Sequence, residues 1–116
     1  MKPMGRREEF ARERERLNRL LLREANLPMK RFLALDSDVY ADGALPRRTK
    51  ELLGLVASLV LRCDDCISYH IVQAREAGLS KDEVVEALAV GLVVGGSIVI
   101  PHLRRAFELV DELWSG

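Results

Sequence analysis

The stretch from Ala87 to Ile100 sets the tightest limit on how this chain can fold. It runs for 14 residues without a charge and carries glycines at 91, 95 and 96. A membrane-spanning helix needs about 20 apolar residues, so this stretch belongs in a protein core. As a helix it is apolar nearly all round, and such a helix must be covered on most sides. Gly91 and Gly95 leave room for another helix to come close. A chain of 116 residues has few helices with which to cover it, and small domains bury a modest share of their surface. The expectation is an all-α domain in which a second copy of the chain covers part of this helix. The alternative is a monomer with the helix at its centre.

The remaining sequence also reads as helix, since no window alternates with period two over a β-branched run. Residues 6–25 form a charged helix with a partial stripe of Phe10, Leu17, Leu20, Leu21 and Leu22. Pro28 opens a short second helix through Phe32, Leu33 and Leu35. Asp36 to Leu45 reads as a looser segment with one turn near Val39 and Tyr40, broken by Gly43. Pro46 suits the first position of a third helix, where its missing N–H costs nothing. That helix carries Leu52, Leu53, Leu55, Val56, Leu59 and Val60. A fourth begins near Cys63 or Asp64, with Asp64 as N-cap, and ends at Ala77-Gly78. Ser80-Lys81-Asp82-Glu83 is a capping box, with Leu79 and Val84 as its hydrophobic staple. The fifth helix runs from there to Gly95-Gly96, and a sixth follows Pro101. The expected architecture is one compact domain over residues 1–116, of about six helices.

Charge narrows the function. Eighteen basic residues balance eighteen acidic ones, which gives no electrostatic reason to expect nucleic acid or an anionic membrane as the main partner. The N-terminus, Met1-Lys2-Pro3-Met4-Gly5-Arg6-Arg7, runs into charge and not into the apolar core of a secretory signal. The expected location is therefore the cytoplasm. In that reducing compartment a CxxC pair is catalytic or metal-binding more often than a structural staple.

The chain's two cysteines lie in Cys63-Asp64-Asp65-Cys66-Ile67-Ser68-Tyr69-His70. On a helix, positions three, four and seven apart share a face, so both thiols and the imidazole point the same way. A paired dithiol can attack, close to a disulfide and be reduced again, while the imidazole manages the proton. A cysteine in the first turn of a helix also feels the unpaired N–H groups that favour a thiolate. Asp64 and Asp65 oppose it with their negative charge. Glu51 lies twelve residues before Cys63. In an antiparallel helix hairpin it comes near His70 and can orient the imidazole; otherwise it is a first-turn glutamate favoured by the helix dipole. Zinc is the rival chemistry, with Cys63, Cys66, His70 and either Glu51 or His102 as ligands, although this packing into one helix differs from split finger spacing. Without a rival function, His102 is a solvated or capping residue, Trp114 a packing or interface residue, and Tyr69 a packing residue off the cysteine face.

Leu45-Pro46-Arg47-Arg48-Thr49-Lys50-Glu51-Leu52-Leu53, followed by Cys63-Asp64-Asp65-Cys66 and Tyr69-His70, resembles the carboxymuconolactone decarboxylase superfamily. More closely it is similar to the alkylhydroperoxidase D-like branch, whose pattern is Glu-x11-Cys-x2-Cys-x3-His. The resemblance covers residues 28–100. It implies an all-helical fold that assembles as homotrimers or homohexamers, and thiol-dependent peroxidase or disulfide-reductase activity without a cofactor. It implies Cys66 as the peroxidatic cysteine, Cys63 as the resolving one, and Glu51 with His70 as the proton relay. The reductant it implies is a dithiol such as a lipoyl-bearing protein. The best-known members carry a His where this chain has Asp65, which as a carboxylate accepts hydrogen bonds but cannot donate one. The decarboxylases that name the superfamily are generally without the cysteine pair. The other readings are a zinc-binding or redox-sensing module, a decarboxylase-like member, and a structural oligomer with a vestigial site.

Overall fold

The computed structural model describes residues 5–115. Residues 1–4, read above as the start of a charged N-terminus, and residue 116 lie outside them. Helices α1 (Arg6–Glu24), α2 (Leu27–Val39), α3 (Arg47–Val60), α4 (Asp64–Glu76), α5 (Lys81–Gly95) and α6 (Ile100–Trp114) follow in order. A 3-10 turn at Ser97–Val99 leads into α6.

The core forms where α3, α4, α5 and α6 meet. Leu55 and Leu59 of α3, Ile71 of α4, Leu88 of α5 and Leu109 of α6 are fully buried there. Gly91 makes the closest approach possible: a Cβ at that position would lie 2.8 Å from Leu59 Cδ2, so α3 rests directly on the α5 backbone. Gly95 meets Val99 of the following turn instead. The expected capping box is present, with Ser80 Oγ accepting from Glu83 N–H at 3.1 Å and Glu83 Oε1 accepting from Ser80 N–H at 2.9 Å. Leu79 and Val84, its staple, are both in the core. Trp114 is a packing residue that donates its indole N–H to the Leu79 carbonyl at 3.2 Å.

Three local expectations are corrected. Helix α2 continues through Asp36 to Val39. Asn26 caps its start by accepting from Met29 N–H, and its end is finished by Lys50 of α3, whose Nζ reaches the carbonyls of Val39 and Ala41 at 2.8 and 2.7 Å. That closing contact comes from a different helix. Pro46 is the N-cap of α3 and not its first residue. The N-cap of α4 is Cys63, not Asp64.

Helix α1 buries no side chain completely, and its start is held from far along the chain. Gly5 offers no capping side chain, and the N–H groups of Arg6 and Arg7 donate to the two oxygens of Glu112, each at 2.7 Å. The uncharged part of α5, from Ala87 onward, is covered on one side only. Val90, Val93 and Val94 remain exposed, as do Phe32 and Leu35 of α2. Among the described residues no helix is long and apolar enough to cross a membrane.

Asp64 ties α4 to α6. Its Oδ1 accepts from His102 Nδ1 at 2.8 Å and its Oδ2 from Arg105 Nε at 3.0 Å. Partial burial pushes this carboxyl upward, but the hydrogen bonds and charges of His102 and Arg105 outweigh it and hold Asp64 below the usual carboxylate range.

Ser80→Ala should destabilise the fold by about 1 kcal/mol, the worth of a lost N-cap, measured by urea unfolding. Asp64→Asn tests the second tether. A carboxyl held low in the folded state stabilises the fold above its unfolded pKa of about 3.9, and that contribution is lost as pH falls through the folded value. The melting temperature of Asp64→Asn should thus lie below wild type at pH 7 and approach it as pH falls below about 4. The side chain is 41% exposed, so solvent screening keeps the effect within about 1 kcal/mol.

Candidate active site

The site is built by the tight link between α3 and α4. Arg62 adopts φ 60°, the left-handed conformation that usually ends a helix at glycine. Its N–H donates to the Leu59 carbonyl at 3.0 Å, and Cys63 N–H donates to the Ser58 carbonyl at 3.1 Å. Non-glycine residues adopt this conformation at some cost. Here it turns the chain so sharply that α4 runs back antiparallel along α3.

Cys63 emerges from this turn as the N-cap of α4, with its Sγ accepting from Cys66 N–H at 3.2 Å. The two cysteines are joined as a disulfide, with Cα atoms 5.3 Å apart. Cys66 is exposed and Cys63 is half-buried, so an incoming molecule meets Cys66 first. When the pair is reduced, the same N–H that faces Cys63 Sγ favours negative charge there.

One turn beyond Cys66, His70 is turned inward and 8% exposed. Its Nδ1 lies 2.8 Å from Oε1 of Glu51, which is 2% exposed. Glu51 is therefore not a first-turn residue facing the dipole. It sits one turn into α3, on the face that packs on α4. A buried carboxylate is costly unless paired and hydrogen-bonded, and two partners serve here: His70 on one oxygen, and Arg47 Nε at 3.5 Å from the other. Because an ionised carboxylate only accepts, the imidazole proton sits on Nδ1 and the lone pair of the neutral ring on Nε2.

Several neighbours of this pair were not singled out from the sequence as part of a site. The Tyr40 hydroxyl lies 3.5 Å from His70 Nε2, and its ring is 5.4 Å from the imidazole. Gly54 is the reason both fit. A Cβ there would fall 2.7 Å from His70 Cε1, 2.8 Å from Nε2, and against the Tyr40 hydroxyl. A glycine in mid-helix costs about 1 kcal/mol relative to alanine, and that is the signal by which Gly54 stands out in the sequence. Tyr69 is more than packing. It meets His70 edge-on with centroids 5.2 Å apart, and the Arg14 guanidinium lies 4.2 Å above its ring. Tyr40, Tyr69, Arg47, Asp36 and Glu51 line a polar cavity of about 340 Å³. Burial, and after it the charge of Glu51, holds both phenols above their ordinary range.

The acidic pair between the cysteines is answered by cations from other helices. Asp64 is held by His102 and Arg105, which gives His102 a defined partner in place of a solvated or capping role. Asp65 is exposed and lies 3.6 Å from Arg14 of α1. The opposition to a thiolate expected from these two aspartates is thereby reduced. Among the described residues, no three His, Cys, Asp or Glu side chains converge as a metal centre would require.

Comparison with known proteins agrees with the fold. The family described as "Carboxymuconolactone decarboxylase family" matches residues 27–109. A crystal structure of a Thermotoga maritima protein is 56% identical and superposes with a TM-score of 0.88, covering 90% of this chain and 92% of that one. A second crystal structure from that organism, with 55% identity and a TM-score of 0.86, covers 90% of this chain and 89% of that one. It is described as a carboxymuconolactone decarboxylase family protein for which involvement in the antioxidative response is a possibility. A protein of that family from Legionella pneumophila, 23% identical with a TM-score of 0.77 over 92% of this chain and 93% of that one, shares the fold. Protein 4 of the cox locus of Paracoccus denitrificans is 35% identical over 82 residues, or 71% of this chain and 74% of that protein. The chain belongs to the carboxymuconolactone decarboxylase family.

Proposed function

We propose that this protein is a dithiol oxidoreductase of the alkylhydroperoxidase D-like kind, reducing peroxides through Cys66 and Cys63. The observation that carries the proposal is the buried Glu51–His70 pair, whose histidine follows the exposed end of the cysteine pair by one helical turn. A structural disulfide has no need of a buried acid–base pair beside it, whereas thiol chemistry requires a proton acceptor. The Thermotoga relative's description in terms of antioxidative response points the same way.

In this scheme the reduced Cys66 thiol gives its proton to the relay, and the thiolate attacks the outer oxygen of a hydroperoxide. The O–O bond breaks, Cys66 becomes a sulfenic acid, and the departing alkoxide takes up a proton as the alcohol. Cys63 then attacks the Cys66 sulfur, water leaves, and the disulfide forms. An external dithiol, of the kind a lipoyl-bearing protein presents, restores both thiols and is itself oxidised to a disulfide. Asp65 stays at the rim, where its carboxylate can accept a hydrogen bond from a relay water. Cytoplasmic action fits the need to keep the pair reducible.

The same proposal includes a homo-oligomer, a trimer or hexamer, formed through the apolar surface that α2 and α5 leave uncovered. Exposed apolar area of this extent is unusual in a monomer.

Peroxide consumption with dihydrolipoamide as reductant should be abolished in Cys66→Ser; turnover at the wild-type rate would remove Cys66 from the chemistry. Glu51→Gln should lower that turnover by about 100-fold, the lower end for loss of an acid–base group. Light scattering on the eluting protein should give a mass of three or six times the 13.1 kDa chain. A mass of one chain would refute the oligomer.

A further inference from the structure

We propose that Tyr40 is a positioning residue of this site, whose hydroxyl steadies the Nε2 edge of His70 opposite its contact with Glu51. This assignment rests on the dithiol reading above and adds to it a residue from a third helix.

Three neighbouring residues of α3 build the arrangement. Glu51 takes the Nδ1 side of the ring. Gly54, one turn nearer the cysteine end of α3, leaves bare backbone against Cε1 and Nε2. The Nε2 edge is therefore the edge that faces Gly54, away from Glu51. Lys50 holds the carbonyls on either side of Tyr40, those of Val39 and Ala41, and so fixes the end of α2 from which the phenol reaches across. The hydroxyl arrives 3.5 Å from Nε2, at the long end of hydrogen-bonding distance. A hydroxyl suits this place because it can donate to Nε2 of the neutral ring and accept from Nε2–H of the imidazolium. It can therefore stay in place while His70 takes up or gives back a proton.

The charged and titratable surroundings favour a protonated phenol. His70 faces Glu51 from α3 with Arg47 behind it, Tyr40 from α2 with Asp36 nearby, and Tyr69 from α4 beneath Arg14 of α1. Burial first, then the Glu51 and Asp36 carboxylates, keep Tyr40 a neutral donor.

The test is Tyr40→Phe in the full chain, which removes one oxygen and keeps the ring. Two readouts are taken: the ring-nitrogen chemical shifts of His70 in the disulfide form, and the pH profile of iodoacetamide alkylation in the dithiol form. Tyr40→Phe should move the Nε2 resonance of His70, which loses its hydroxyl partner, while Nδ1 stays protonated against Glu51. It should also move the alkylation profile up by about one pH unit, a roughly tenfold slower reaction at neutral pH. Lys50→Met, which frees the end of α2 without touching the phenol, should shift the profile the same way by a smaller amount, and it decides the matter if Tyr40→Phe does not fold. A shifted profile in Glu51→Gln with an unchanged Nε2 resonance and profile in both Tyr40→Phe and Lys50→Met overturns the role of Tyr40 and leaves the relay standing. Unchanged profiles in all three overturn both.

Discussion

The buried pair of Glu51 and His70 is the interaction on which the rest of the site depends. A carboxylate that is 2% exposed is tolerated only with partners, and its partners impose a register. Glu51 must face α4 one turn from the start of α3, and His70 must face α3 one turn after Cys66. The left-handed Arg62 sets this register by reversing the chain within three residues. Once the two helices are locked, the cysteine pair has a single place, at the start of α4 and on its open side. The imidazole takes its proton on the Glu51 side and turns its other ring nitrogen to the Tyr40 hydroxyl.

The periphery serves the same end by charge. Two aspartates next to the cysteines work against a thiolate, yet each faces a cation from another helix: Arg105, beside the hydrogen-bonding His102, for Asp64, and Arg14 for Asp65. The helix that brings Arg14 packs lightly on the domain and takes its own N-terminal cap from Glu112. The electrostatic setting of the dithiol thus depends on both ends of the chain. A surface ion pair is worth little for stability, but a change of one charge within a few ångströms of a sulfur weighs directly on its acidity.

Much of this was legible in the sequence. The all-helical class followed from the absence of period-two patterning, and the Ser80–Glu83 capping box from four adjacent residues whose hydrogen bonds are local. Helical periodicity put Cys63, Cys66 and His70 on one face, while Glu51 stayed open between a dipole-favoured glutamate and a partner of His70 until the family resemblance implied the relay. Other positions were not. Asp64 has the side chain of an N-cap, yet Cys63 took that place while Asp64 turned to α6. Helix α2 ran past its expected end because a lysine eleven residues on from Val39 finished it. Tyr69 read as a packing residue and Tyr40 only as part of a turn, since their roles depend on what lies across from them.

The sequence by itself determined the helices, the Ser80–Glu83 cap and the line of thiols and imidazole along α4, because each depends on residues within a turn or two of one another. Only the tertiary structure decided that Glu51 meets Nδ1, that Tyr40 meets Nε2 across the bare backbone of Gly54, and that the aspartates between the cysteines are counter-charged. Those contacts join α1, α2, α3, α4 and α6. Their distances are set by helix packing, which no spacing along a single chain encodes directly.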